Sequence, residues 1–166
     1  YGLSKLMAEK ILRIQTKNRK KLVGIVLRFP EVIGKNCNRG IVKQLYDTAS
    51  KGEEIELFSL GKRYRNFLHV DSAADSIEKA IRFYRDTNDF EIFEIGSCDS
   101  ITTHALADLI VQLTGSCSSI KLAERNAPYD RDFFFDVSKA ASKLKFKPLN
   151  VRQALERYLR KEGHEV

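Results

Sequence analysis

The sequence has few of the residues that build disulfide frameworks or structural metal sites. Its 166 residues include 3 cysteines, Cys37, Cys98 and Cys117, and 3 histidines. The cysteines are odd in number, widely spaced and without a CxxC pair, so neither disulfides nor a zinc site is expected, and we predict no metal site. This composition fits a reducing compartment, and we expect a cytoplasmic protein.

Long apolar runs and glycine-rich phosphate loops are also missing from the sequence. No run reaches the length of a membrane span and no signal-peptide pattern occurs, so no membrane partner is expected. Neither GxGxxG nor a P-loop is present, so residues upstream of Tyr1 would have to hold the phosphates of any dinucleotide. Because Tyr1 already falls inside a helical pattern, we interpret the sequence as the carboxyl-terminal half of a longer chain.

Charge is unbalanced toward the basic side. Lysine and arginine total 29 against 22 acidic residues, for a net charge of +7. Such a balance suits anionic partners, including nucleic acid, acidic membranes and phosphorylated small molecules. No helix-turn-helix, zinc-finger or aromatic RNA-binding motif accompanies the charge, so we expect no nucleic-acid partner.

Apolar periodicity predicts helices that alternate with strands. Helices are predicted at 1–19, at 41–51, after Asp71 or Ser72, from Thr102 or Thr103 to Gly115, and after the caps Asp136 and Asn150. Strands are predicted at 22–27, 55–58, 64–69, 91–95 and 120–123. The continuous apolar run at 22–27 is typical of a parallel strand that is covered on both faces. The alternation predicts an α/β protein with one compact core.

Tyr1 and Lys5 stand four residues apart on the first predicted helix. Positions i and i+4 share a helix face, so the ammonium of Lys5 can lie near the phenol of Tyr1. A nearby cation favours the phenolate form, which makes a tyrosine a usable acid or base near neutral pH. On residues 1–5 alone, an ordinary amphipathic helix is the simpler explanation of this spacing.

Five segments in order resemble the extended short-chain dehydrogenase/reductase family, which includes the NAD-dependent sugar epimerases and dehydratases. YGLSK at 1–5 opens the series. LRFPEVIG at 27–34 resembles the family's LRxxNVYG, and GKRYRNFLHVD at 61–71 resembles its G…RDFxxVDD. FEIGS at 93–97 is similar to YNIGS. DRDFFFDVSKAASKLKFKP at 130–148 resembles DxRxxxxDxSKAxxxLGWxP, so the resemblance spans nearly the whole chain.

The resemblance implies a fold, a cofactor and partners. The fold would be the carboxyl-terminal part of a Rossmann-like doubly wound parallel sheet with a smaller α/β substrate-binding lobe. Residues 1–166 would then be one fragment, in which the end of the NAD-binding domain interleaves with the substrate-binding domain. The cofactor would be NAD or NADP, the substrate a nucleotide sugar, and the assembly a homodimer.

The same resemblance implies roles for individual residues. Tyr1 would take the proton from a sugar hydroxyl while hydride passes to NAD, and Lys5 would hydrogen-bond the nicotinamide ribose. Arg28 and Phe29 would border the cofactor, although a strand-end arginine over a core phenylalanine is an equal alternative. Arg65 and Arg131 would hold the nucleotide diphosphate, since guanidinium groups bind phosphate in a bidentate manner. Surface ion pairs with Asp71 or Asp132 are the alternative for these two arginines.

Some positions depart from the family pattern. The substrate-facing asparagine is replaced by Glu31, whose carboxylate would repel a diphosphate or would require a cation partner such as Lys35. Asn66 replaces the aspartate that follows Arg65. These departures leave a second hypothesis open, in which a family-like protein binds a dinucleotide or nucleotide sugar as a sensor or scaffold. Epimerase, dehydratase and reductase activities all remain open, because the residues that distinguish them are expected before Tyr1.

Overall fold

The computed structural model describes residues 1–19, 22–84, 90–125 and 131–161. Asp130, the first residue of the last motif, lies outside these ranges. The helices are α1 (Gly2–Asn18), α2 (Ile41–Ser50), α3 (Val70–Phe83), α4 (Thr103–Thr114), α5 (Ser138–Lys143) and α6 (Val151–Lys161). The strands are β1 (Gly24–Arg28), β2 (Glu31–Ile33), β3 (Ile55–Leu57), β4 (Tyr64–Arg65), β5 (Phe67–His69), β6 (Phe90–Glu94), β7 (Ile101–Thr102) and β8 (Ile120–Leu122).

Most strand pairs of the described residues are parallel. β1 pairs with β6, from Gly24 opposite Phe90 to Arg28 opposite Glu94. β2 pairs with β5 and β3 with β8 in the same sense, whereas β4 and β7 are antiparallel. Each parallel pair joins strands that are separated along the chain by at least one helix, as parallel connections require. The predicted α/β class is therefore confirmed.

Two hydrophobic clusters hold these elements together. The larger one gathers α2, α4 and α6 around β3 and β5, and Phe67, Leu155 and Tyr158 are among its fully buried members. The smaller one packs Phe93 of β6 against the segment that contains α5, with Phe146 as its other large aromatic residue. Burial of large side chains of this kind is the main source of stability in such a fold.

Helix α1 and strand β1 are less buried than their apolar sequences predict. Thr16 is the buried residue of α1, while five large apolar side chains of this helix are exposed: Leu3, Leu6, Met7, Ile11 and Ile14. Residues 25–27 of β1 are half-buried. The predicted parallel strand is confirmed by its pairing with β6, whereas its side chains are only partly covered within the described residues. Two clefts border it, one toward α1 and one toward α3, and Ile25 and Leu27 line both.

Local structure differs from prediction near the middle of the chain. Neither helix nor strand is predicted between residues 27 and 41, but the segment after Pro30 begins with β2. The single strand predicted at 64–69 is two strands, divided at the buried Asn66. The Asn66 amide donates to the carbonyls of Ser97 and Asp99 over 3.1 and 2.7 Å, and its oxygen accepts from the Ser97 N–H over 3.0 Å. Asn66 thereby replaces ladder bonds with side-chain bonds to a neighbouring loop.

The helix caps agree with prediction in three cases and differ in two. The residue that caps α5 is Val137, without a side-chain bond, rather than Asp136, although Asp136 accepts from the Ser138 N–H over 3.0 Å. Thr102 caps α4 by accepting from the Ala105 N–H, and Gly115 ends that helix in a left-handed conformation. Asn150 accepts from the Gln153 N–H ahead of α6. The cap of α3 is neither Asp71 nor Ser72: the imidazole of His69 accepts from the Asp71 N–H over 3.2 Å. An imidazole nitrogen does here what a carboxylate or hydroxyl usually does.

Candidate active site

A cleft of about 540 Å³ lies between α1 and β1. We call it the α1–β1 cleft. Four of the predicted site residues line it, namely Tyr1, Lys5, Arg28 and Phe29. These four residues come together because α1 packs alongside β1. One face of the helix therefore lies next to the carboxyl end of the strand. The carboxyl ends of parallel strands are where ligands bind in sheets of this type.

Tyr1 and Lys5 lie on the exposed amino-terminal turn of α1. The Lys5 ammonium nitrogen is 5.3 Å from the centroid of the Tyr1 ring, within the range of a cation–π contact. The Tyr1 carbonyl accepts from the Lys5 N–H over 3.2 Å and from the Ser4 hydroxyl over 2.7 Å. Tyr1 is 97% exposed, so its phenol is open to a reactant.

Arg28 has partners that the sequence analysis missed. Its Nε donates to Glu9 Oε1 over 2.9 Å and its Nη2 to Glu9 Oε2 over 2.7 Å. Its Nη1 lies 3.8 Å from Glu94 Oε1. The hydrogen bond from Arg28 lowers the pKa of Glu9, and the hydrogen bond to Glu9 raises the pKa of Arg28. Glu9 follows Lys5 by four residues and so lies on the same helix face. This spacing could have predicted that Glu9 also faces the cleft.

The chemistry of the α1–β1 cleft fits one end of a nicotinamide dinucleotide. The Tyr1 phenol and the Lys5 ammonium offer a hydroxyl and a donor for a ribose, beside the half-buried ring of Phe29. The cleft does not supply a phosphate cradle. A Cβ placed on Gly2 would meet no other atom within 4 Å, so this glycine does not mark a close backbone approach of the kind that grips a pyrophosphate.

A smaller cavity of about 210 Å³ lies between α2, β3 and β4. We call it the α2–β3 cavity. Arg63 and Arg65 line one side of it, Ile41 at the start of α2 lines another, and Phe58 closes the end of β3. Only Arg65 of these was predicted as a site residue. Glu54 and Glu56 line the same cavity, so two carboxylates offset the two guanidinium groups. Binding of an anion there would depend on those guanidinium groups and on the start of α2.

Glu31 lies at the amino terminus of α2. Its carboxylate contacts Gly40, the residue that precedes this helix. Burial raises the pKa of Glu31, against the opposing effects of the Arg65 charge and the N–H groups of Ile41 and Val42. The cation partner suggested by the sequence was Lys35, which is exposed; the cation that acts on Glu31 is Arg65.

Arg131 is exposed and belongs to a segment that runs beside β4. Asp132 accepts from the Tyr64 N–H over 2.9 Å, and the Phe133 N–H donates to the Tyr64 carbonyl over 3.1 Å. The guanidinium carbon of Arg65 is 5.9 Å from the centre of the Phe133 ring. Arg131 is thus two residues from a contact of Arg65, so the segment brings both arginines to the same region.

The carboxylates proposed as alternative partners for these arginines have other contacts. Asp132 binds the Tyr64 N–H, as described, and the Asp71 carboxylate lies 3.6 Å from His69 Nδ1. A carboxylate has room for further donors beside such a contact, so surface ion pairs with Asp71 or Asp132 stay the alternative explanation for Arg65 and Arg131.

The α1–β1 cleft and Glu31 are adjacent along the chain. β1 ends at Arg28 and β2 begins at Glu31, so Pro30 alone stands between Phe29, which lines the cleft, and the residue whose carboxylate lies at the start of α2. Among the described residues, no helix combines the length and apolar character that crossing a bilayer requires. In those same ranges, no group of three or more His, Cys, Asp or Glu side chains is placed to hold a metal ion.

The parallel α/β fold gives the class of the protein, and its sequence gives the family. The family model for the NAD dependent epimerase/dehydratase family matches residues 1–96, which is more than half of the chain. The chain belongs to this family, and the cofactor of the family is NAD.

Individual proteins share this fold and part of the sequence. A dTDP-4-dehydro-6-deoxy-D-allose reductase from a Streptomyces species is 26% identical over 161 residues, covering 94% of the chain and 48% of the relative. A UDP-N-acetylglucosamine 4-epimerase from Bacillus cereus is 28% identical with a TM-score of 0.79, over 100% of this chain and 55% of that one. The chain thus spans about half the length of these relatives.

A third protein shows the fold alone. A UDP-glucose 4-epimerase from Thermotoga maritima, solved with UDP-glucose, has a TM-score of 0.83 at 24% identity, over 98% of this chain and 52% of that one. With these matches, the prediction of a Rossmann-like member of the extended short-chain dehydrogenase/reductase family is confirmed.

Proposed function

We propose that the whole protein is an NAD-dependent epimerase or dehydratase that acts on a nucleotide sugar through transient oxidation of a sugar carbon. One observation carries the proposal. The Tyr1–Lys5 pair and the end of β1 share one cleft. Pro30 separates Phe29 of that cleft from Glu31, whose carboxylate lies at the start of α2, and α2 borders the cavity that Arg63 and Arg65 line. Such an arrangement can hold a reacting sugar and its phosphates at the same time.

Tyr1 and Lys5 would act on the reacting sugar. The phenol oxygen of Tyr1 would take the proton of a sugar hydroxyl, with the Lys5 ammonium 5.3 Å from the ring centroid. Bound NAD supplies the hydride acceptor for the carbon that bears this hydroxyl. Lys5 also has spare hydrogen-bond donors with which to orient a ribose. The cleft is open at Tyr1, so closure by other parts of the whole protein would be needed to exclude water.

The phosphates and nucleoside of the substrate would lie at the α2–β3 cavity. Arg65 reaches it from β4, and Arg131 belongs to the segment that contacts β4. Planar guanidinium groups suit the paired oxygens of a diphosphate. Phe58 offers an aromatic face at the end of β3, although the Arg125 guanidinium already stacks on it at 4.2 Å. A nucleoside base would compete with Arg125 for this face.

The proposal is tested by assaying the whole protein with NAD and candidate nucleotide sugars. UDP-glucose, UDP-N-acetylglucosamine and a dTDP-hexose would be incubated separately and the products separated by chromatography. We expect conversion of at least one sugar to its epimer or to a 4-keto-6-deoxy product, without net consumption of NAD. Failure of all three, with a protein that binds NAD, would contradict the proposed activity.

Glu31 supports a second candidate, a family-like protein that binds a dinucleotide or nucleotide sugar as a sensor or scaffold. Its buried carboxylate lies where the family pattern has an asparagine, beside the charge of Arg65. A protein of this kind would bind its ligand and leave it unchanged. The same assay separates the candidates, because tight binding of a nucleotide sugar with no product identifies the sensor.

We also propose that the whole protein is a homodimer in which the chain contributes two lobes. The two hydrophobic clusters support the lobes. The five exposed apolar side chains of α1 support a contact with further protein. Sedimentation equilibrium of the whole protein would test the stoichiometry, and a monomer at micromolar concentration would contradict it.

A further inference from the structure

The amino terminus of α2 already has an anionic group beside it. Glu31 opens β2 and directs its carboxylate at Gly40, where an added Cβ would overlap the carboxylate. Gly40 has φ 101°, and neither a side-chain cap nor an acidic residue in the first turn serves this ten-residue helix. The exposed N–H groups of a helix start carry partial positive charge, and here Glu31 is the anion that faces them.

A second positive group acts on the same carboxylate. Arg65 of β4 exerts an attractive charge interaction on Glu31, and the N–H groups of Ile41 and Val42 add to it. β5 contributes the apolar Phe67, which is the strand partner of Glu31. The start of α2 and Arg65 thus both act on the Glu31 carboxylate, and a helix start beside a guanidinium group is an arrangement that binds phosphate groups.

One oxygen of this carboxylate nevertheless lacks a partner. Its Oε1 is buried and accepts no hydrogen bond of normal geometry from the described residues. The Nε of Arg65 is likewise buried, and it donates to no acceptor in the part of the chain that the structure describes. Buried polar atoms without partners are unfavourable, and they are far less frequent than paired ones. If Glu31 and Arg65 formed a direct ion pair with a structural role, Glu31 Oε1 and Arg65 Nε would be hydrogen-bonded to each other.

We propose that Glu31 is a specificity-determining residue that competes with the diphosphate of the substrate for the amino terminus of α2 and for Arg65. The carboxylate holds this position in the free protein, and a diphosphate binds there only when the carboxylate is neutral or has moved away. This inference rests on the proposed function, because it assumes that a nucleotide sugar reaches the α2–β3 cavity. It predicts weak binding of diphosphates and undiminished binding of the nucleoside.

The test compares Glu31→Gln and Glu31→Asn with the wild type in the whole protein. The ligands are UDP-glucose, dTDP-glucose and the free nucleosides uridine and thymidine, and the affinities are measured by calorimetry near neutral pH. We expect both variants to bind one of the nucleotide sugars roughly tenfold or more tightly than the wild type, because removing a like charge from an interface gains at least this much. Nucleoside affinity should stay within about twofold of wild type, well below that charge effect.

Glu53→Gln serves as the matched control, since Glu53 is an exposed carboxylate just past the end of α2. It should leave every affinity unchanged. Two Glu31 variants of different length guard against a packing defect, and thermal melts verify that each one folds. Unchanged or weaker nucleotide-sugar binding in both folded variants would overturn the inference.

The outcomes also separate this inference from the proposed function. If the variants bind a nucleotide sugar more tightly and no sugar is converted, the role of Glu31 stands and the proposed activity fails. If sugars are converted and Glu31 has no effect on their affinity, the activity stands and the inference fails. If no nucleotide sugar binds to wild type or variants, both fail.

Discussion

Glu9 and Arg28 form a two-pronged ion pair, with donor–acceptor distances of 2.9 and 2.7 Å, between the middle of α1 and the end of β1. The Glu9 side chain is 17% exposed and the Arg28 side chain 44%. The pair holds the helix that carries Tyr1 and Lys5 against the strand that ends beside them. It therefore contributes to the width of the α1–β1 cleft.

Glu9→Gln should destabilise the whole protein by about 0.5–1 kcal/mol, the upper part of the range for partly exposed ion pairs. The hydrogen bond from Arg28 lowers the pKa of Glu9 below its ordinary value of 4.5. The stabilising effect is therefore fully present above that value and is lost as the pH falls below it. Urea unfolding at several pH values should show the difference from wild type shrink in acid.

Glu94→Gln is the control for this pair, because Glu94 lies 3.8 Å from Arg28 and makes a weaker contact. Its effect should be smaller than that of Glu9→Gln at every pH. Equal effects of the two variants would contradict a specific role for Glu9.

Tyr1→Phe in the whole protein should reduce turnover by roughly 10²–10⁴-fold, the usual contribution of a placed proton-transfer group. Folding should hardly change, because the ring is kept and Tyr1 is 97% exposed. NAD should remain bound, as measured by fluorescence titration. Near-normal turnover of Tyr1→Phe would contradict the catalytic role.

Lys5→Met should differ from Tyr1→Phe by weakening NAD binding as well as turnover. The substitution removes the ammonium 5.3 Å from the Tyr1 ring and the donor proposed for the ribose. Lys10→Met, at an exposed position on the same helix, is the matched control and should leave both quantities unchanged. Normal NAD affinity in Lys5→Met would contradict the proposed contact between Lys5 and the ribose.

Arg65→Ala and Arg131→Ala should each raise the Michaelis constant for the nucleotide sugar. Hydrogen bonds to charged groups contribute about 1.5–3 kcal/mol, which corresponds to roughly 10- to 150-fold. Arg152→Ala removes an exposed guanidinium that pairs with Glu156 on α6 and should leave the constant unchanged. A large fall in melting temperature with an unchanged constant would indicate structural ion pairs instead.

Glu31→Gln should change the pH dependence of stability. Burial raises the pKa of Glu31 above its ordinary value of 4.5, despite the Arg65 charge. As the pH rises past 4.5 the unfolded chain loses this proton first, so the wild type loses stability relative to a variant that cannot ionise. The variant should be the more stable protein near neutral pH, and the two should converge in acid. A gap that widens in acid would contradict the raised pKa.

Asn66→Asp should destabilise the protein although the family pattern has aspartate at this position. The Asn66 amide donates to the carbonyls of Ser97 and Asp99, and a carboxylate cannot donate. The carboxylate oxygen would face the Asp99 carbonyl at a site that is 4% exposed. We expect a loss of about 1–3 kcal/mol in urea unfolding. Asn38→Asp, at an exposed loop position, should change little.

Long periodic segments were predictable from the sequence, and short strands were not. α2 and α4 each show apolar residues at helical spacing over three turns, and their predicted ends agree with the structure to within one residue. β2 and β7 have three and two residues, too few for an alternating pattern to appear. They are strands because β5 and β4 pair with them, which is tertiary information.

For the candidate site, contacts between residues close in sequence were predictable, and contacts between distant residues were not. The i, i+4 spacing was enough to predict that Tyr1 and Lys5 lie together, because a helix fixes that distance locally. The partners of Arg28 and Glu31 come from distant parts of the chain, Glu9 and Arg65 respectively. Sequence spacing suggested Lys35 for Glu31 only because it is near along the chain. Which charges meet across a fold depends on how helices and strands pack.

Pro30 stands between Phe29, which lines the α1–β1 cleft, and Glu31, whose carboxylate lies at the start of α2. Because proline fixes one backbone torsion, we expect a shift of Phe29 to be passed on to Glu31. A ligand that moves Phe29 should then alter the affinity for a phosphate group at the start of α2, and thermodynamic reciprocity requires the same factor in both directions. Order of binding would consequently be a matter of kinetics, while the affinity of the ternary complex would be the same by either route.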